Sequence, residues 1–328
     1  LSLTPSLAVF YLLFCIARMN WAAPFELGLY AALNNWFVRR RTRASGIVTL
    51  AQQVGLVAMP LVAEVAILER GWRAGWLAVG AVTLLVGCVP SWLLLARRPE
   101  DLGLVPDGAA APAAAAAPSR RGTAPEPRFS RRQALATPAF WLLLLFAMLV
   151  YPVQAGVSLH QAPFLIERGI APTIAATIVS TFSAASAAAT IVCGLLPPRV
   201  PIRCWLAATG ATLAVGVGLM LGVHAALQGY VAAGTFGFGL GMLQTLLPVA
   251  WADYFGRAHY GAIRSVALPA QVVAQAAGPL VSGMLRDATG NYVLSLRCFA
   301  ILAALSVVAA LAARQPAPPL FAAPAAER

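Results

Sequence analysis

Charge is scarce in this sequence, and negative charge scarcer still: charged residues make up 10% of the 328, only 11 are acidic, and every one of the 23 basic residues is arginine. A soluble domain carries about 25% charged residues, so a chain this poor in charge and 60% hydrophobic is not built to be surrounded by water. It reads as an all-α membrane protein. A net charge of +12 would suit nucleic acid. The arginines, however, come in short knots between apolar runs, as in "NNWFVRRRTRASG" at 34–46. That pattern fits membrane topology better than a binding face, and no nucleic-acid partner is expected.

Chemistry-bearing residues are equally thin. Five cysteines (Cys15, Cys88, Cys193, Cys204, Cys298) stand singly in apolar surroundings with no CxxC, which assigns them to packing. Three histidines (His160, His224, His259), no HExxH and no GxSxG leave no nucleophile-and-base set; neither an enzyme nor a metal or other cofactor is expected. The glycine-rich "GTFGFGLGMLQ" at 234–244 lies inside an apolar run with no strand before it. Close helix packing or bending explains it better than a nucleotide loop.

About 20 predominantly apolar residues cross a bilayer core of about 30 Å. Nine segments qualify: 7–37, 45–68, 76–96, 139–165, 172–196, 204–222, 226–252, 265–285 and 292–312. In lipid they must close their own backbone hydrogen bonds, so they are expected to be helices. Laid alternately across the membrane, they put 17 arginines on one face, four (Arg70, Arg73, Arg168, Arg286) on the other, and Arg18 and Arg297 within spans. The first face is then cytoplasmic. Arg297, close to its span end, suits snorkelling to the interface.

The segment 97–138, with "GAAAPAAAAAPSRRGTAPEPRF", offers little to bury and reads as a largely disordered cytoplasmic linker. It separates a partial N-terminal membrane domain, 1–96, from a six-helix C-terminal domain, 139–312; 313–328 is a disordered cytoplasmic tail. Ser130 precedes Gln133 by three, a capping-box spacing that predicts a short helix start.

The chain also repeats itself. Asn35-Trp36-Phe37-x-Arg39 matches Asp253-Tyr254-Phe255-x-Arg257 at an offset of 218. Ala51-Gln52, Pro60-Leu61-Val62 and Gly71 recur as Ala270-Gln271, Pro279-Leu280-Val281 and Gly290 at an offset of 219. Parallel halves of this kind are a transporter architecture with the substrate site between them. Leu1 already maps onto Leu219. Counterparts of 139–165, 172–196 and 204–222 would therefore precede residue 1, and an N-terminally truncated chain is expected.

"NWFVRRRTRASGI", "GWRAG", "RRPEDLGLVPDG", "TPAFWLLLL", "WADYFGRAHYGAIRS" and "GPLVSGMLRDATGNY" together resemble the major facilitator superfamily, and within it bacterial relatives of the monocarboxylate and oxalate/formate porters. The resemblance implies a two-domain helical bundle of twelve helices, of which this chain would hold helices four to twelve, rocking between inward-open and outward-open states. It implies a secondary carrier, monomeric, in the inner (plasma) membrane, moving a small monocarboxylate or related anion by proton coupling or exchange. A non-transporting membrane sensor of the same fold, or an inactive fragment, are the alternatives. Arg39, Asp253 and Arg257 would belong to the gating cytoplasmic loops. Two departures stand out. In "GLLPPRVPIR" Pro198 occupies the place of the family's loop Asp, leaving Arg199 and Arg203 without it. The spans 172–196 and 265–285, where many such carriers bear a substrate-binding Arg or Lys, hold none.

Site residues must then be sought among polar groups inside spans. Arg18 and Glu26, eight apart in 7–37, would look into one cavity, because eight residues of continuous helix give about 80° of rotation; a structural ion pair is the plainer alternative. The repeat maps Glu26 onto Gln244, across a central site. Tyr151, Gln154, Ser158 and Gln161 fall at steps of three, four and three, a polar stripe that serves either substrate binding or interhelical hydrogen bonding. Pro152 and Gly156 within it could hinge the helix, and His160 beside it suits an interfacial residue. Single cysteines placed at Ala109 and Gly290 in a background without native Cys should react with impermeant maleimide from opposite sides of the membrane; same-side labelling would refute the topology.

Overall fold

The structure is a computed structural model that describes residues 2, 4, 6–20, 25–94, 96, 98–108, 127–195 and 200–317. Among them there are helices and connecting turns but no strand. The chain forms two compact units, Leu1–Ala115 and Ala116–Arg328.

In the first unit, α1 spans Leu7–Asn20 and α2 Glu26–Trp36. The span expected over 7–37 is described as helix on both sides, over 14 and 11 residues, and residues 21–24 between them lie outside the described residues. The helix α3 runs Arg41–Arg70, and α4 (Trp72–Val82) continues through a π-helical stretch (Thr83–Cys88) into α5 (Val89–Leu94). The chain leaves α5 through two 3-10 turns, Pro99–Leu102 and Pro106–Gly108, so the first part of the linker is structured. Linker residues 109–126 and tail residues 318–328 lie outside the described residues, as do Pro198 and Arg199.

The second unit opens with the capping box. Ser130 Oγ accepts from the Gln133 N–H at 3.3 Å while Gln133 Oε1 accepts from the Ser130 N–H at 2.8 Å, starting α6 (Arg131–Leu135). Six long helices follow: α7 (Pro138–Glu167), α8 (Pro172–Gly194), α9 (Ile202–Leu221), α10 (Ala226–Phe255), α11 (Tyr260–Thr289) and α12 (Val293–Ala312). Helix α10 packs on α8 and α9, α12 on α9 and α7, and α7 on α11. Glycine makes these approaches possible. A Cβ on Gly237 or Gly241 would overlap the carbonyl oxygens of Phe182 and Ser186 on α8, and Gly239 abuts Leu213 on α9. The glycine-rich run is thus a packing surface on two faces of α10. Gly278 of α11 meets the Pro152 carbonyl of α7, and the Phe299 ring of α12 covers Gly156. Pro152 and Gly156 are therefore points of close approach of α7 to α11 and α12.

The repeat is visible in the backbone. Helices α3 and α11 are both 30 residues long, begin and end at an offset of 219, and are capped by Gly71 and Gly290 at φ of +79° and +78°. The left-handed region favours glycine at both stops. The described helices of the first unit are counterparts of α10–α12, and α1 buries none of its residues. Among the described residues seven helices are long and apolar enough to cross a membrane: the six of the second unit and Trp72–Leu94. At 14 residues α1 is short, and α3 carries Glu64, Glu69 and three arginines along its length.

Replacing Gly241 by valine should destabilise the second unit by about 1–3 kcal/mol, because the obstacle is backbone that cannot step aside. Gly218→Val, where a Cβ meets nothing, should be close to neutral. Thermal unfolding in detergent would compare them; equal midpoints would contradict the packing role.

Candidate functional site

The α7 stripe lies against α11. Gln154 Oε1 accepts from Gln275 Nε2 at 3.0 Å, tying the two helices through half-buried amides. One turn further, Ser158 Oγ is buried with no protein partner among the described residues. Gln161 is 2% exposed, and neither its amide oxygen nor its nitrogen has a protein partner there. A buried amide left unmade costs about 1–3 kcal/mol, so these groups are ready to bind water or a polar solute. Tyr151, half-buried, begins the stripe. His160, on another face, stacks on Tyr292, the N-cap residue of α12, at 5.0 Å.

The facing stripe on α11 is the part that the sequence reading missed. Arg264, Gln271 and Gln275 follow one another at steps of seven and four along one helix face. Arg264 is 2% exposed, its Nη1 donates to Gln271 Oε1 at 3.1 Å, and its guanidinium lies 5.5 Å from the Trp251 ring of α10. The expectation that this helix holds no basic residue is corrected: α11 begins at Tyr260, five residues before the apolar run does, so Arg264 is a buried helix residue. Hydropathy placed the boundary where charge stopped. The backbone places it after the turn 256–259, opened by Gly256 at φ +78°. The signal available in the sequence was the pair Gln271 and Gln275, four apart on an apolar helix, with Arg264 seven before.

The α7–α11 seam thus runs from a guanidinium through a glutamine pair to polar groups without protein partners. Beyond them Ser282 Oγ donates to Ser295 Oγ at 3.0 Å, and Arg286 pairs with Glu167 at 3.1 Å in an exposed bridge joining the far ends of the two helices. An exposed pair adds at most about 1 kcal/mol.

Other candidates fall elsewhere. Arg18 is exposed in the last turn of α1, and Glu26 is half-buried in the first turn of α2. Gln244 is half-buried on α10. Arg39 is exposed in the loop before α3; Asp253 and Arg257 flank the C-terminal end of α10, where the Asp253 carbonyl accepts from Gln315 Nε2 at 2.8 Å. The first unit also has a cavity of about 420 Å³, lined by apolar side chains including Leu29, Leu33, Trp36 and Ile47. It offers no charge to a polar solute.

Residues 1–279, 279 of 328, match the Major Facilitator Superfamily. The chain belongs to this superfamily. It is accordingly a multi-pass membrane protein of a transporter family. Human monocarboxylate transporter 11 is 27% identical over 290 residues, 85% of this chain and 58% of that protein. The membrane sensor protein UhpC of Salmonella typhimurium is 34% identical over 139 residues, 40% of this chain and 30% of the relative. This superfamily chain therefore spans less than two thirds of the length of these relatives. The crystal structure of the Major Facilitator Superfamily transporter FucP, in the outward conformation, aligns with a TM-score of 0.60 at 14% identity, over 87% of this chain and 72% of that one; this likeness establishes the fold alone.

Gln154→Leu should cost about 1–2 kcal/mol by stranding the Gln275 amide, whereas Gln154→Leu with Gln275→Leu should recover most of the loss. Unfolding midpoints of the single and double variants test this; additive losses would mean that the two amides do not support one another.

Proposed function

We propose that this chain is the greater part of a secondary active carrier that moves a small carboxylate anion by alternating access, with the α7–α11 seam as its anion-binding surface. The observation that carries the reading is Arg264: a buried guanidinium on α11, beside Gln271 and one hydrogen-bonded pair away from polar groups with no protein partner. Guanidinium holds a carboxylate through two parallel hydrogen bonds, in a low dielectric that strengthens both. Superfamily membership and the monocarboxylate transporter among its relatives support the solute class. Gln271 orients the guanidinium, and Gln154, Ser158, Gln161 and Gln275 supply neutral donors and acceptors to the body of the solute.

Glu26 and its repeat counterpart Gln244 differ by one titratable proton, which makes Glu26 the candidate for proton coupling. Arg18 serves as a second cationic group of the central site. Arg39, Asp253 and Arg257 belong to the loops that gate it. The membrane is the inner (plasma) membrane and the working form a monomer.

A second reading follows from the similarity to a membrane sensor protein: the same seam would bind solute without moving it. Purified protein reconstituted into vesicles separates the two, since a carrier exchanges labelled carboxylate across the membrane and a sensor only binds it. Arg264→Lys should weaken carboxylate binding roughly tenfold, about 1.4 kcal/mol, because a point charge replaces a fork. Glu26→Gln should abolish accumulation driven by a pH gradient while sparing exchange. Undiminished binding in Arg264→Lys would overturn the anion site, and pH-driven accumulation surviving Glu26→Gln would remove that residue from coupling.

A further inference from the structure

The loop between α2 and α3 is held by a residue about 70 positions further along the chain, just past α5. Three consecutive backbone N–H groups there, those of Val38, Arg39 and Arg40, all donate to the carboxylate of Asp107. The Val38 N–H lies 3.2 and 3.3 Å from its two oxygens, that of Arg39 2.9 Å from Oδ2 and that of Arg40 3.2 Å from Oδ1. These groups precede the first turn of α3 and have no helical acceptor of their own. A carboxylate at that end also complements the α3 dipole.

Asp107 is set up for this contact. Among the described residues it is the one non-glycine with positive φ, at 65°, a conformation that Asp tolerates better than most residues but still at a cost. The segment carrying it is short and folded on itself: Gly103 turns at φ +69°, and the Leu104 N–H returns to the Pro99 carbonyl at 2.9 Å. A second tie runs in parallel, the Trp36 indole donating to the Ala96 carbonyl at 2.9 Å. The end of α2 and the exit from α5 are thus joined twice.

The repeat supplies a comparison. In the second unit the corresponding loop, 256–259, also receives a piece of linker. There the Phe129 N–H donates to the Phe255 carbonyl at 3.2 Å, the two rings meet edge-on at 5.5 Å, and the Pro127 carbonyl abuts Gly256. Each end of the linker is therefore moored to the equivalent loop of its own unit. In the second unit the mooring is backbone and aromatic; in the first it is a carboxylate with an indole beside it.

We propose that Asp107 is a strap that fastens the start of the interdomain linker to the arginine loop 38–41 and fixes that loop's conformation. With the carboxylate in place, Arg39 and Arg40 are presented to solvent on a backbone that cannot fray, while Arg41 turns inward to donate from Nε to the Phe37 carbonyl at 3.1 Å. Without it, three donors lose their acceptor and the loop and linker move independently.

Hydrogen exchange on the full chain in detergent, with Asp107→Gly and Asp107→Asn, tests the strap. Asp107→Gly keeps the positive φ without strain but has no carboxylate. It should speed amide exchange across 38–40 at least tenfold and expose Arg39 and Arg40 to trypsin, with residues 44–63 of α3 and the loop 256–259 unchanged. Asp107→Asn, which retains one acceptor oxygen, should fall between it and the wild type. If Asp107→Gly exchanges like the wild type, the residue is only a turn and the strap is refuted. If either variant loses protection along the whole of α3, Asp107 is a general support of the unit and the proposal fails in that way.

Discussion

A polar side chain placed in hydrocarbon has no water to turn to, and that constraint governs the second unit. Helices α7 and α11 each carry a line of amides and hydroxyls that would be expensive against lipid. They face one another instead, with Gln154 bound to Gln275 and Gly278 cut away so that the α7 backbone comes within contact. The close crossing and the polar seam are one device: without the glycine the amides would stand too far apart, and without the amides the crossing would have no polar content. The glycines of α10 do the same work on the other side of the bundle, where the contacts are apolar.

The seam is incompletely satisfied, a property that the proposed binding role uses and that interhelical glue does not need. Glue alone would be expected to pair every group. Here Gln154, Gln275 and the Arg264–Gln271 couple are paired, while both amide atoms of Gln161 and the hydroxyl of Ser158 have no protein partner among the described residues. The carrier function proposed above would use such groups, because a site satisfied by its own protein has nothing left for a solute.

Much of this was legible in the sequence, and the exceptions have physical causes. The helical class, the capping box at Ser130 and the repeat were readable because each rests on local pattern, and the matched 30-residue lengths of α3 and α11 repeat the sequence offset residue for residue. Arg264 was missed for one such cause. A charge at the edge of an apolar run reads as loop, yet here the guanidinium is covered by Trp251 and held by Gln271, contacts that no one-dimensional scan contains. The ordered start of the linker was likewise hidden, since "PEDLGLVPDG" is rich in turn formers and only the fold reveals that Asp107 has three backbone donors waiting for it.

The account stands or falls on whether a carboxylate reaches Arg264. Dipolar recoupling between a ¹³C-carboxyl-labelled monocarboxylate such as lactate and ¹⁵N-guanidino-arginine protein in lipid bilayers measures that contact directly. Dephasing from a guanidinium within hydrogen-bond distance, present in the wild type and lost in Arg264→Lys with the protein still folded, is the predicted result. A signal that persists unchanged in Arg264→Lys, or no dephasing at saturating solute, would contradict it.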